Sequence, residues 1–138
     1  RVLFRSDGVD AGNKKVINVA DGKIETGSKD AINGGQVHNI VNNIKGDINN
    51  LNSKVDKNRK NASQGIAAAM AMNIEYPEQR PGQWAAGVGV AHYDGQEALA
   101  VGANFLTENG KYKVGVSYGQ GIGSGSKPAA KASIAWVW

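Results

Sequence analysis

The chain contains no cysteine, so neither a disulfide framework nor a thiolate metal site is available to it. It also lacks any apolar run near the roughly 20 residues of a membrane-spanning helix. That excludes a helical span but not a β-barrel, whose strands announce themselves by alternation rather than by runs. The net charge is +4, yet Arg5, Lys14, Lys15, Lys54, Lys57, Arg59, Lys60 and Lys111 are scattered and form no single stripe with interleaved aromatics. A nucleic-acid binder needs a compact basic footprint, so no nucleic-acid partner is expected. The first residues hold no apolar segment followed by a small-residue cleavage site; if the protein is exported, this chain is a fragment of it. Arg1 to Ser6 matches nothing that follows, and residues 1–6 are expected to be a non-native scar.

Chemistry-bearing patterns are equally scarce. His38 and His92 stand far apart with no Cys or carboxylate cluster beside them, so no metal site is expected. Gly121-Ile122-Gly123-Ser124-Gly125 lacks the Lys-Ser/Thr ending of a phosphate loop and reads as a flexible hairpin connection. No serine sits in a nucleophile-elbow context. The sequence offers no catalytic constellation, and no enzyme is expected.

What is present falls into three regions. Residues 7–36 are polar, with Gly and Asp at short intervals. Val16 to Ala20 reads as a short β-type segment closed by the turn signal Asp21-Gly22. This stretch has too few apolar residues to bury a core alone and needs partners. In residues 37–61 the period changes: Val37, Val41, Ile44, Ile48, Leu51 and Val55 alternate steps of four and three. That is a heptad repeat, with Val41, Ile48 and Val55 at a and Val37, Ile44 and Leu51 at d. Asn-rich flanks give little intrinsic helicity, so a packed seam must hold the helix. Its composition leans toward a trimer, although a helix packed on its own domain would show the same stripe.

The seam continues through Asn58, Ala62, Gly65, Ala69 and Met72, but its residues shrink and charge disappears from every face. A helix inside a narrow neutral enclosure has that composition; a solvated one does not. The pattern predicts a helix to Tyr76, so Arg59 to Tyr76 would be roughly 27 Å long at about 1.5 Å per residue. Pro77 and Pro81 then break the chain, closing a region at 62–81.

From residue 82 to 138 the period is two. Trp84, Ala86, Val88 and Val90 oppose Ala85, Gly87, Gly89 and Ala91. Asp94-Gly95 is a hairpin signal. Leu99, Val101, Ala103 and Phe105 then oppose Ala98, Ala100, Gly102 and Asn104. After Glu108-Asn109-Gly110, Tyr112, Val114, Val116 and Tyr118 oppose Lys113, Gly115 and Ser117. The last strand sets Ile134, Trp136 and Trp138 against Ser133, Ala135 and Val137. One face is large and apolar with aromatics near strand ends, as in the girdles of membrane barrels. The other is small, which marks close approach of something bulky, and the neutral helix is the candidate. Gly65, Ala69, Gly87, Gly89, Gly102 and Gly115 are therefore expected in lumenal packing. Four strands cannot close a barrel, and open sheet edges are not tolerated in lipid. Three copies would give about twelve strands, the stoichiometry the coiled coil also favours.

With these residues in place, the chain from Val16 to Trp138 resembles the C-terminal part of the YadA-like trimeric autotransporter adhesins. Val16-Ile17-Asn18-Val19-Ala20-Asp21-Gly22 and Asp30 to Val37 resemble the neck that joins β-structure to the stalk. Ala62 to Ala71 resembles the helix threading the anchor barrel. Gly87-Val88-Gly89-Val90 and Gln96 to Gly102 resemble the first two anchor strands, and Trp136 and Trp138 the terminal signal read by barrel-assembly machinery. The resemblance implies an α+β membrane protein: a neck, a trimeric coiled coil, and four antiparallel strands contributing to a 12-stranded homotrimeric barrel filled by three helices. It implies a Gram-negative outer-membrane location with the stalk on the cell surface, export of a passenger that stays attached, and contact with outer-membrane lipid. Host or surface ligands would bind through a head absent from this chain. It further implies that Asn58, at a d position, points inward and holds chloride on the trimer axis; an Asn that merely sets register with water is the alternative. The rival to the whole reading is a soluble trimeric coiled-coil fibre segment, such as part of a phage tail fibre.

Overall fold

The computed structural model describes residues 3–138, which divide into two compact units, residues 3–51 and 52–138. Helix α1 (Gly34–Ala71) contributes to both.

In the first unit, β1 (Leu3–Arg5) and β2 (Gly8–Asp10) form an antiparallel hairpin with Phe4 opposite Val9. Arg1 and Val2 of the expected scar lie outside the described residues. The β-type segment expected at Val16–Ala20 forms no strand. Asn18, at a φ of 61°, interrupts the extended run, and among the described residues no neighbouring strand pairs with this stretch.

The start of α1 is fixed by a reciprocal cap. The Asn33 side chain accepts the Gln36 amide at 3.0 Å, and the Gln36 side chain accepts the Asn33 amide at 3.2 Å. Two of the donors that a helix N-terminus leaves unsatisfied are thus met by one pair of side chains. Gln36 also ties the upstream chain down, accepting from Gly22 N at 3.0 Å and donating to its carbonyl at 2.7 Å. Asn33 donates to the Val19 carbonyl and to Asp21. A side chain at Gly22 would collide with the Ala31 carbonyl. Large apolar residues of this unit, Val16, Ile17, Ile44 and Ile48 among them, are exposed in the single chain.

The second unit holds the end of α1 and a four-stranded antiparallel meander in the order β3 (Trp84–Tyr93), β4 (Gln96–Leu106), β5 (Tyr112–Gly121) and β6 (Ala129–Trp136). Strands of 8 to 11 residues bracket the length a tilted membrane strand requires, about 9–11. Asp94 and Gly95 both take positive φ, 48° and 74°, the tight turn whose twist matches the strands it joins. The fourth strand begins earlier than its alternation predicts, directly after Pro128.

Helix α1 ends at Ala71, not at Tyr76. Met72 N still donates to Ala68 O at 3.0 Å, but Asn73 N reaches back only to Met70 O, at 3.1 Å. Residues 73–80 contain no regular structure. Half-buried Ile74 and Tyr76 pack on the sheet, so tertiary contacts override the helical continuation that the sequence allows. The small core is Ala67, Ala68, Ala71, Met72, Ala98 and Ala100.

Gln36→Ala should remove its cap and both Gly22 contacts, at a cost of about 1 kcal/mol or more. Hydrogen exchange in detergent should then speed up roughly five-fold or more at the amides of residues 33–37. Unchanged exchange would show that the helix start is held by something else.

Candidate functional site

The sheet is inverted relative to one folded around a core in water. Outward Val88 and Val90 are 78% and 76% exposed, while inward Ala98 and Ala100 are 1% and 3% exposed. Each strand carries an outward apolar span of the same length: Trp84 to Val90, Leu99 to Phe105, Tyr112 to Tyr118 and Ala130 to Trp136. At about 3.4 Å per residue each covers roughly 20 Å of strand. Polar His92, Glu97 and Gln120 lie just beyond one border of this band, with His92 Nδ1 3.9 Å from Glu97 Oε1. Aromatics line the other border: Trp84 and Phe105 rings stand 5.0 Å apart, and Tyr112 pairs in register with Trp136. An apolar band edged by aromatic rings suits contact with lipid.

The inner face admits backbone where side chains would ordinarily stand. A Cβ at Gly89 would collide with the Ala71 carbonyl, and one at Gly119 would come within 2.9 Å of the Ala68 carbonyl. Gly87 accommodates Ile74, and Gly102 accommodates the Tyr76 hydroxyl. A Cβ at Gly115 would meet Asn104, Ser133 and the Ala103 carbonyl first, all of them within the sheet. Gly65 and Ala69, expected in lumenal packing at seam positions, are exposed on the side of α1 away from the sheet, and nothing beyond the neighbouring residues and the helix's own backbone lies within 4 Å of where a Gly65 Cβ would be. The side against the sheet is instead Ser63, Gln64, Ala67, Ala68 and Ala71. At 3.6 residues per turn, the heptad positions Val55, Asn58, Ala62, Gly65 and Ala69 fall diametrically opposite that side. Met72 leaves the seam and packs on Gly119.

Polar contacts gather where α1 meets the hairpin turns. Arg59 donates to both Asp94 oxygens, at 3.1 and 2.8 Å, and Ser63 donates to Asp94 at 2.9 Å. Lys60 donates to Ser124, and Gln64 to Gln96. Arg59, followed by Ser63, holds the Asp94 carboxyl below its ordinary range, and Asp94 in turn raises the Arg59 guanidinium. Gln64 is the largest fully buried side chain, seated against Gly121 and Gly123. Sequence reading missed this cluster, because nothing local links Arg59 to a turn 35 residues away. Trp138 lies beyond β6, fully exposed, and Asn58 is exposed on its helix face.

The inner face is not free of charge. Lys113 and Lys131 line a cleft of about 120 Å³ between residues 72–76 and strands β4 to β6, together with buried Asn104 and Ser117. Asn104 Oδ1 and Ser117 Oγ have no hydrogen-bond partner there.

A substitution at Gly89 tests the packing. Gly89→Asn must displace backbone rather than a flexible side chain, costing about 1–3 kcal/mol per site. It should lower the thermal unfolding midpoint in detergent, whereas outward Val88→Ile should leave it unchanged. Equal midpoints would mean that α1 does not press on β3.

The Asp94 contacts predict a specific pH dependence. A depressed carboxyl stabilises the fold above the unfolded pKa, about 3.9, and loses that contribution as pH falls through its lower folded value. The midpoint should therefore be insensitive to Asp94 from pH 8 to 5, with an acid-side loss that is smaller in Asp94→Asn.

Comparison with known proteins accounts for both units. The family described as "YadA-like membrane anchor domain" matches residues 77–138, and that described as "Coiled stalk of trimeric autotransporter adhesin" matches residues 15–60. Only residues 1–14 and 61–76 fall outside both. The chain is 31% identical over 145 residues to autotransporter adhesin BadA of Bartonella henselae, covering 78% of this chain and 5% of that protein. It is 28% identical over 141 residues to autotransporter adhesin NhhA of Neisseria meningitidis, covering 96% and 21%. To trimeric autotransporter adhesin AtaA of Acinetobacter it is 26% identical over 111 residues, covering 80% and 3%. The chain thus spans about a fifth or less of the length of these curated relatives.

Proposed function

Because the chain belongs to the YadA-like trimeric autotransporter adhesins, we propose that it is the outer-membrane anchor and translocator of such an adhesin, exporting a passenger and then holding it on the cell surface. The observation that carries this reading is the inverted sheet, with its large apolar face outward and its glycine face against a helix. A soluble fibre would place that face inward, so the soluble alternative is not favoured.

The sheet alone cannot live in lipid. β3 and β6 each leave one edge unpaired, and every unsatisfied backbone group in hydrocarbon costs several kcal/mol. An even-numbered meander has antiparallel outer strands, so β6 of one copy can pair with β3 of the next. Three copies close a 12-stranded barrel in this way. The phase of α1 supports the same number: the side opposite the sheet carries the heptad positions, which suits a helix packed on the wall and on two other helices at once. In this arrangement Asn58 faces the trimer axis and can hold chloride. Trp136 and Trp138 supply the aromatic signal for the barrel-assembly machinery, and the outward band meets outer-membrane lipid.

The expressed protein should fractionate with outer membranes as a heat-modifiable trimer of about three times 14.5 kDa. A tag before Asp7 should be cleaved by protease added to intact cells. Deleting Trp138 should lower the membrane-inserted amount. A monomer or dimer, or a tag protected in intact cells, would overturn the reading.

A further inference from the structure

The strap after α1 presents its residues alternately. Ile74 and Tyr76 are half-buried against Gly87 and Gly102, while Glu75 between them is exposed. In an extended segment neighbouring side chains point to opposite sides, so Glu75 is directed away from the sheet its neighbours pack on. Among the described residues no cation lies within 4 Å of it. Lys131 is the complementary case. It shares the inner face of the sheet with Ser117 and Ser133, is exposed in the single chain, and has no anionic partner there. The strap covers β3 and β4, which leaves the inner face of β6 for another occupant.

Resting on the trimeric barrel proposed above, we infer that Glu75 of each protomer pairs with the partner's Lys131. The strap packs on β3, an edge strand. In the closed ring the next strand beyond that edge is β6 of the neighbouring copy, about 4.8 Å further on. A lysine arm and a glutamate together reach about twice that distance. An unpaired charge enclosed in a filled lumen is costly, and three copies enclose three Glu75 and three Lys131 groups. Pairing between copies answers both charges at once.

The test is a charge swap in the full chain, assayed in outer membranes by the temperature at which the detergent-resistant trimer dissociates. Glu75→Lys and Lys131→Glu should each lower that temperature. The double variant Glu75→Lys/Lys131→Glu should recover more than half of the larger loss, as coupled sites do and independent sites do not. Additive losses in the double variant, or single variants that dissociate like the parent, would overturn the pairing while leaving a trimeric barrel intact. Recovery of Glu75→Lys by Lys113→Glu instead of Lys131→Glu would also overturn it. A parent chain that forms no trimer would overturn the barrel and the pairing together.

Discussion

Close approach of two backbones is the interaction on which the second unit depends. The carbonyls of Ala68 and Ala71 stand where side chains of Gly119 and Gly89 would otherwise be. Two alanine carbonyls seated over two glycines therefore set the distance between helix and sheet. Such contacts leave no room for relaxation, because backbone cannot change rotamer as a side chain does. They also explain the small core. Where helix and sheet lie this close, alanine fills the gap and leucine does not fit. The large residues are displaced to the outside, onto a face that suits lipid.

A second constraint is the accounting of backbone hydrogen bonds at the sheet edges. In water an unpaired edge is a hazard for aggregation; in hydrocarbon it is prohibitive. In the trimeric barrel proposed above, the same constraint would couple the folding of one chain to the assembly of three. The exposed seam of α1 states the requirement again from the side of the helix. In that proposal each feature is half of a contact that another copy would complete.

Much of this was legible in the sequence. Alternation located β3, β4 and β5 to within a few residues, because inward glycine and alanine contrast sharply with outward valine, tyrosine and tryptophan. β6 was placed too late, since Ala129, Ala130 and Ala132 have no such contrast. The heptad was visible in Val37 to Val55 because only a few residue types occupy a and d. The end of α1 was not visible: Asn73 and Ile74 are compatible with a helix, and what stops it is the seat for Ile74 and Tyr76 made by Gly87 and Gly102. Gly65 and Ala69 continue the heptad seam read from the sequence, and the structure sets that seam opposite the sheet. Small residues line both sides of this helix, and composition does not tell which side meets the sheet. The Arg59–Asp94 pair was beyond reach, because ion pairs across 35 residues leave no local pattern.

The change from helix to extended chain at Ala71 alters the mechanics of the connection to β3. Helical residues advance about 1.5 Å each, whereas extended ones advance up to about 3.3–3.6 Å. The strap is thus more length-sensitive than the helix before it: one residue added or lost there shifts reach by more than twice what it would in the helix. It works as a ruler, in which a few residues fix how far the helix can sit from the first strand. Insertions upstream of Asn52 leave the ruler and the wall it serves matched.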